Sequence, residues 1–187
     1  MKGILFTEFL DMVEEQFGAD MVDDIIEESN LPSGGIYTSV GTYDGKEMGT
    51  LVQALSEQTN IPVPALLYVY GKHLFGRYVM LFPEFFANVT DLFTFLEEIE
   101  AVHHVEVRKL YPDAQLPRIV AERVNDTTLV VDYSSPRPLG DLMEGLTQGA
   151  IDYFGENVTV NRQELNGHPV HNGAHMVRLV LTRVDTT

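Results

Sequence analysis

The chain has 187 residues, a hydrophobic fraction of 44% and no cysteine. Its length suits one sizeable domain, and the lack of cysteine excludes disulfides, thiolate metal ligands and thioether-linked cofactors. The formal net charge is −16 at pH 7. Because binding to phosphate depends on Lys and Arg, we expect neither nucleic acid nor a membrane as a partner.

The N-terminal segment MKGILFTEFLDMVEEQFG predicts a helix rather than a targeting sequence. Apolar residues recur at helical spacing, and Gly18 ends the segment. Glu8 and Asp11 stand where a signal peptide needs an uncharged core. We therefore expect a cytoplasmic protein.

Further helices are predicted over residues 21–28, 46–58 and 63–81. A loop rich in Gly, Ser, Pro and Asn separates the first two of these helices. Asp91 is a suitable N-cap for one long helix that runs to about Tyr111, where Pro112 stops it.

The pattern changes after Pro117 to β-branched, partly alternating segments bounded by turn residues. Strands are predicted over 118–124, 128–133, 157–165 and 175–184, with an amphipathic helix over 138–155 between the second and third. A run of helices followed by β-β-α-β-β predicts an α+β fold, with one four-stranded antiparallel sheet that carries a helix on a face.

The histidines are the first candidates for metal chemistry. His103 and His104 are adjacent, so on a straight helix they lie about 100° apart and cannot both address one ligand. The apolar periodicity slightly favours His103 as the buried one. His168, His171 and His175 surround an Asn-Gly turn, and they either hold a divalent ion or are exposed imidazoles of a polar turn.

The stretch VVDYSSPRPLGD gathers polar groups at the end of a strand. Tyr133, Ser135 and Arg137 alternate along an extended segment, so their side chains are expected on one face. The guanidinium of Arg137 can bind a carboxylate through two parallel hydrogen bonds. This cluster suits an anionic ligand, although a structural ion pair of Arg137 is an alternative.

Taken together, these features resemble the haem–nitric oxide/oxygen binding (H-NOX) family, a sensor domain also found in soluble guanylate cyclases. The resemblance covers essentially the whole chain, from MKGILFTEF through YGKHLFGRY and LFPEFFANVTDLFTFLEEIEAVHHVEVRKLYPDAQLPR to a Y-x-S-x-R motif. It implies one domain over residues 1–187, with a helical subdomain (1–62) and a haem-carrying helix plus sheet (63–187), and haem buried between them.

The family pattern H-x-E-V-x-K-L-Y, followed by an LP pair, selects His104 and Pro117. The resemblance thus implies His104 as the proximal iron ligand of a non-covalent haem b, against the preference of the periodicity. It implies that Pro117 presses on the porphyrin. The anion at Tyr133, Ser135 and Arg137 is then a pair of haem propionates.

The resemblance also implies the function. Nitric oxide, and also carbon monoxide, would bind the ferrous haem, and release of His104 by nitric oxide would change the conformation. The output would pass to a separate signalling protein, such as a histidine kinase or a diguanylate cyclase or phosphodiesterase.

Gas selectivity is expected from the residues on the other side of the haem. Family members that bind dioxygen place a tyrosine five residues after the motif arginine, and that position is Leu142 in this chain. The other pocket residues implied by family position are Leu5, Phe9, Leu74 and Tyr78. We therefore expect poor dioxygen affinity, with the Tyr78 hydroxyl as a residue that could alter it.

Two further hypotheses belong to other classes of protein. One is a haem enzyme such as a peroxidase, which needs a distal base and a polar cation. The other is a haem-free interaction module in which the histidines at 168, 171 and 175 bind metal. We expect a sensor rather than an enzyme.

Overall fold

The computed structural model describes residues 1–165 and 174–184. Its helices are α1 (Ile4–Phe17), α2 (Ala19–Ser29), α3 (Gly45–Thr59), α4 (Val63–Leu81), α5 (Leu92–Glu98), α6 (His104–Leu110) and α7 (Gly140–Phe154). Its strands are β1 (Arg118–Asn125), β2 (Thr128–Ser135), β3 (Val158–Glu164) and β4 (His175–Arg183). A short 3₁₀ turn spans Pro83–Phe85, and a π-helical turn spans Ile99–His103.

Polar side chains and left-handed residues set the helix ends. The carboxylate of Asp91 accepts hydrogen bonds from the backbone N–H of Phe93 and Thr94, as an N-cap should. Asn30 and Asn60 follow α2 and α3 with positive φ angles, which suit a helix C-terminus. Among the described residues, no helix is both long enough and apolar enough to span a membrane.

The long helix predicted from Asp91 to Tyr111 is present as an uninterrupted helical run from Leu92 to Leu110, but it contains a π turn that the prediction did not include. α5 and α6 have seven residues each, and the five-residue π turn joins them. The backbone N–H of His104 donates to the carbonyl of Ile99, five residues earlier. Such a turn is uncommon within a helix and is frequent at functional sites. The periodicity of the apolar residues gave no sign of it.

The four strands form one antiparallel sheet in the order β1-β2-β4-β3, which confirms the predicted α+β class. Leu129, Val131 and Tyr133 on β2 are buried, and so are their neighbours Val177 and Leu179 on β4. Because alternate residues of a strand point to opposite faces, this buried set defines the face that packs on the helices.

Two hydrophobic cores lie on either side of α4 and α7. One is helical and contains α1, α2 and α3, and the other lies between α5, α7 and the sheet. Neighbouring residues of α4 belong to different cores, since Leu74 faces the helical core and Phe75 the sheet core. Leu142 and Met143 divide in the same way on α7. α4 and α7 therefore form the partition between the two cores.

Glycines let these two helices approach each other closely. A Cβ atom built on Gly71 would lie 2.3 Å from the carbonyl oxygen of Leu142, and one on Gly145 would lie 2.1 Å from that of Tyr68. Both distances are far shorter than van der Waals contact, so only glycine fits at either position. The predicted division of the chain at residues 62 and 63 stays a prediction, because α4 contributes to both cores.

Candidate functional site

A largely apolar cavity with a volume of about 270 Å³ lies where the two cores meet. Its wall includes residues of α1, α4, α5, α6, α7 and β2, together with the segment between α6 and β1. Nine of the ten residues that the sequence analysis singled out line it. These are Leu5, Leu74, Tyr78, His104, Pro117, Tyr133, Ser135, Arg137 and Leu142.

The polar edge of the cavity is formed by the Y-x-S-x-R motif. Tyr133 and Ser135 are buried at the end of β2, which continues two residues past the predicted strand. Arg137 lies in the bend that follows, so the extended alternation does not reach it. The Ser135 hydroxyl accepts the backbone N–H of Arg137 at 3.1 Å, which fixes this bend. Burial raises the pKa of Tyr133, and the hydroxyl of Ser135 and the charge of Arg137 oppose that rise.

The guanidinium of Arg137 donates to the side-chain carbonyl of Gln115 at 3.2 Å. Within residues 1–165 and 174–184 it forms no ion pair with a carboxylate of the chain. A half-buried cation with no anionic protein partner suits an external carboxylate. The alternative of a structural ion pair therefore has no support among the described residues.

His104 begins α6 and lines the cavity with only 9% of its surface exposed. Its Nδ1 lies 2.7 Å from Oε2 of Glu100, four residues earlier. Burial lowers the pKa of His104, and the adjacent Glu100 carboxylate opposes that shift. A neutral imidazole with Nδ1 bound to a carboxylate leaves Nε2 as the atom that can coordinate a metal.

His103 is buried as well, but in different surroundings. Its ring packs between Phe85 and Phe95, with centroids 5.3 Å and 5.0 Å away. Both ring nitrogens are buried and have no hydrogen-bond partner among the described residues. The apolar periodicity favoured His103 as the buried histidine, but both His103 and His104 are buried. Of these two, only His104 has a carboxylate among the described residues that orients its ring.

The wall formed by α1, α4 and α7 is mainly apolar. Leu5, Leu74 and Leu142 lie there, as predicted. Tyr78 is the one residue predicted for this wall that carries a hydroxyl group. Burial raises the pKa of Tyr78, so its hydroxyl keeps its proton. Phe9 is not among the described residues that line the cavity. It packs instead in the helical core against Tyr70.

Several residues around the site were not predicted from the sequence. Glu100 could have been found from its four-residue spacing to His104, which brings side chains together on a helix. Met1, Lys2 and Gln115 also line the cavity, close to Arg137, and local sequence carries no signal for them. Burial lowers the pKa of the Met1 ammonium, and the charge of Arg137 lowers it further.

The cluster predicted at His168, His171 and His175 lies mostly outside the described residues. His175 is described, and it is exposed at the start of β4. Among the described residues, no group of three His, Asp or Glu side chains is arranged to hold a metal ion. The haem-free metal-binding hypothesis therefore has no geometric support in this part of the chain.

The residues present fit a haem. A flat, apolar macrocycle needs an apolar cavity, its iron needs a neutral imidazole, and its propionates need hydrogen-bond donors and a cation. His104 supplies the imidazole, and Tyr133, Ser135 and Arg137 supply the donors at the edge. The fold and the site together are those of a haem-binding domain.

Comparisons with known proteins agree with this class. A family model described as haem-NO-binding matches residues 2–162. The H-NOX protein from K. algicida, solved in an unliganded Fe(II) state, is 38% identical with a TM-score of 0.90, over 100% of this chain and 98% of that one. A comparison with curated proteins finds no match.

Two further structures represent ligated states. The H-NOX protein from S. oneidensis, in an Fe(II)NO state, is 28% identical with a TM-score of 0.87, over 99% of this chain and 100% of that one. The H-NOX domain from Shewanella woodyi, in an Fe(II)CO state, is 37% identical with a TM-score of 0.82, over 98% and 95%. The chain belongs to the H-NOX family, whose members are haem-based gas sensors rather than enzymes.

Proposed function

We propose that this protein is a nitric oxide sensor that binds haem b non-covalently and regulates a separate signalling protein. The observation that carries the proposal is the single cavity that brings His104, the Y-x-S-x-R motif and an apolar wall together. When bound, a ferrous haem would supply iron able to accept one imidazole and one diatomic gas, and the family resemblance implies that nitric oxide would weaken the bond to that imidazole.

In this proposal each polar residue has one role. His104 coordinates the iron through Nε2, because Nδ1 is bound by Glu100. Arg137 binds the propionates as a permanent cation, and the hydroxyls of Tyr133 and Ser135 donate to them. Pro117 contacts the porphyrin from the segment that precedes β1.

The π turn supports a conformational role for His104. It interrupts the regular hydrogen bonds of the helix immediately before His104, so the local geometry depends on tertiary contacts. A bond from His104 to iron would be one of these contacts, and its loss would allow the segment to move. Such a segment can act as a two-state element that a partner protein reads.

The apolar wall supports selectivity for nitric oxide over dioxygen. Bound dioxygen carries partial negative charge and gains from a hydrogen-bond donor, whereas nitric oxide needs none. Leu142 occupies the position five residues after the motif arginine and has no donor. The relatives solved with NO and with CO support the same two ligands for this chain.

An absorption spectrum of the anaerobic ferrous protein, with and without nitric oxide, tests the proposal. We expect a Soret band from five-coordinate haem, and conversion to a five-coordinate nitrosyl when nitric oxide is added. Exposure of the ferrous protein to air should leave the spectrum unchanged at first. Absence of haem, or a nitrosyl that stays six-coordinate, would contradict the proposed mechanism.

The partner is proposed to be a cytoplasmic histidine kinase, or a diguanylate cyclase or phosphodiesterase, with a basic docking surface. Residues 3–45 contain no Lys or Arg, and α2 exposes Asp20, Asp23 and Asp24 among other carboxylates. Complementary charge should accelerate association at low salt. Binding to a candidate partner should weaken strongly as the salt concentration rises.

A separate assay distinguishes a sensor from a haem enzyme. The haem-loaded protein should show no turnover of peroxide.

A further inference from the structure

The carboxylate of Glu100 connects two parts of the cavity wall. Its Oε2 lies 2.7 Å from Nδ1 of His104 and also accepts a longer hydrogen bond, 3.4 Å, from the backbone N–H of Ile119. Its Oε1 lies 3.9 Å from a guanidinium nitrogen of Arg108. One oxygen therefore contacts both the candidate iron ligand and the start of β1.

The contact with His104 has a chemical consequence for any metal on that imidazole. A carboxylate that accepts the Nδ1 proton fixes the tautomer and the ring orientation, and it makes Nε2 a stronger electron donor. A neutral hydrogen-bond acceptor would donate less charge to the ring. The 2.7 Å distance is typical of a hydrogen bond to a charged group.

The contact with Ile119 extends the connection into the sheet. Ile119 lies two residues after Pro117, which lines the cavity, and it pairs with Tyr133 across β1 and β2. Glu100 thus lies between His104 and the strand pair that ends in the Y-x-S-x-R motif. Its position in the π turn places its side chain one helical turn before His104.

We propose that Glu100 is a positioning residue that sets the strength of the iron–His104 bond and therefore how readily nitric oxide releases His104. The proposal rests on the proposed haem and nitric oxide function of the same site. Glu100 touches neither the haem nor the gas in this scheme. It acts through the imidazole, and its link to Ile119 holds the carboxylate in place.

The experiment compares haem-loaded wild type with Glu100→Leu, Glu100→Gln and the control Glu106→Gln. Glu106 lies in α6 and pairs with Lys109 on the exposed side, so its loss should not reach the cavity. Readouts are the iron–histidine stretching frequency of the ferrous protein, the haem reduction potential, and the rate at which a six-coordinate nitrosyl becomes five-coordinate.

We expect Glu100→Leu to lower the stretching frequency and to raise the reduction potential, because a weaker donor stabilises ferric iron less. Conversion to the five-coordinate nitrosyl should become on the order of tenfold faster, the usual scale for the loss of such a hydrogen bond. Glu100→Gln keeps a hydrogen-bond acceptor without the negative charge, so its three readouts should lie between those of the wild type and those of Glu100→Leu. Values for Glu100→Leu that match Glu106→Gln would overturn the proposal.

A measurement on the haem-free protein separates this proposal from the function on which it rests. Nitrogen NMR of the His104 ring should show one Nδ1–H tautomer in the wild type and a mixture in Glu100→Leu. Equal tautomer populations would exclude a positioning role, even if haem and nitric oxide bind as proposed. A wild type that takes up no haem would instead refute the proposed function, and with it the role of Glu100 in release.

Discussion

The two sides of the cavity are built differently. The wall from α1, α4 and α7 consists of continuous helices of 14, 19 and 15 residues, and α4 and α7 meet through glycines that leave no free space. The side that carries His104 is a helical run in which a five-residue π turn separates two α-helical stretches of seven residues. The first side is closely packed and apolar, and the second is interrupted and contains the buried histidines.

This difference shows where ligand binding can produce movement. A closely packed helix pair resists displacement, because any shift opens a cavity or creates a clash. A short segment held by a few side-chain contacts can change position when one contact is lost. A gas pocket on the rigid side and a releasable ligand on the interrupted side would suit a sensor.

The largest effect is predicted for a substitution of His104, on the side of the cavity that contains the π turn. We expect His104→Gly to lose nearly all of its haem when purified without additives, because the substitution removes the proposed iron ligand. Free imidazole should restore the Soret band by filling the space left by the side chain. Haem retention without imidazole would show that another residue, with His103 the nearest, coordinates the iron.

The closely packed side can be destabilised by a substitution where α4 and α7 cross. We expect Gly145→Ala to destabilise the protein by about 1–3 kcal/mol, because the added methyl group meets the Tyr68 carbonyl and forces α4 and α7 apart. Chemical denaturation measures this change. Gly49→Ala is the matched control at an exposed position of α3, where nothing lies near the new methyl group, and it should stabilise by about 0.5–1 kcal/mol.

A substitution at the polar edge of the cavity should change the affinity for haem and not the stability of the fold. Arg137→Gln should weaken haem binding by roughly tenfold or more, since hydrogen bonds to charged groups contribute about 1.5–3 kcal/mol. Haem transfer to an acceptor protein measures the loss. Arg178→Gln is the control, because Arg178 pairs with Asp132 on the other face of the sheet and lies away from the cavity. Equal haem loss from both variants would exclude a specific role for Arg137.

A small effect is expected at His103, and it tests the contrast between the two buried histidines. His103→Phe should keep haem and should not lower stability, because it replaces two nitrogens without partners by an apolar ring between Phe85 and Phe95. Thermal unfolding and the Soret band measure the outcome. A loss of haem would assign a coordinating role to His103 and would reverse the choice between these neighbours.

On the apolar wall, Tyr78→Phe removes a hydroxyl without changing shape. We expect unchanged nitric oxide binding, since that ligand needs no hydrogen bond. Any weak dioxygen complex of the wild type should weaken further, and stopped-flow spectroscopy in air measures it. A stable dioxygen complex in the wild type that disappears in Tyr78→Phe would show that Tyr78 takes the role expected of a tyrosine at position 142.

The sequence by itself determined the class of the fold and grouped the motif residues Tyr133, Ser135 and Arg137, which all line the cavity, whereas the other predicted cavity residues came from the family resemblance. Apolar spacing defined α1, and alternation defined the strands. These signals are local, because periodicity and turn chemistry depend on nearby residues. The choice of His104 over His103 came from the family resemblance, and periodicity favoured the other residue.

Only the tertiary structure decided the rest. The π turn has no signature in the apolar pattern, because the residues that hold it are distant in sequence: Phe85 packs on His103, and the backbone N–H of Ile119 donates to Glu100. Phe9 lies in the helical core instead of the cavity, since its direction depends on how α1 packs on α4. Met1 and Gln115 reach Arg137 from distant parts of the chain, and no local pattern can report a contact of that range.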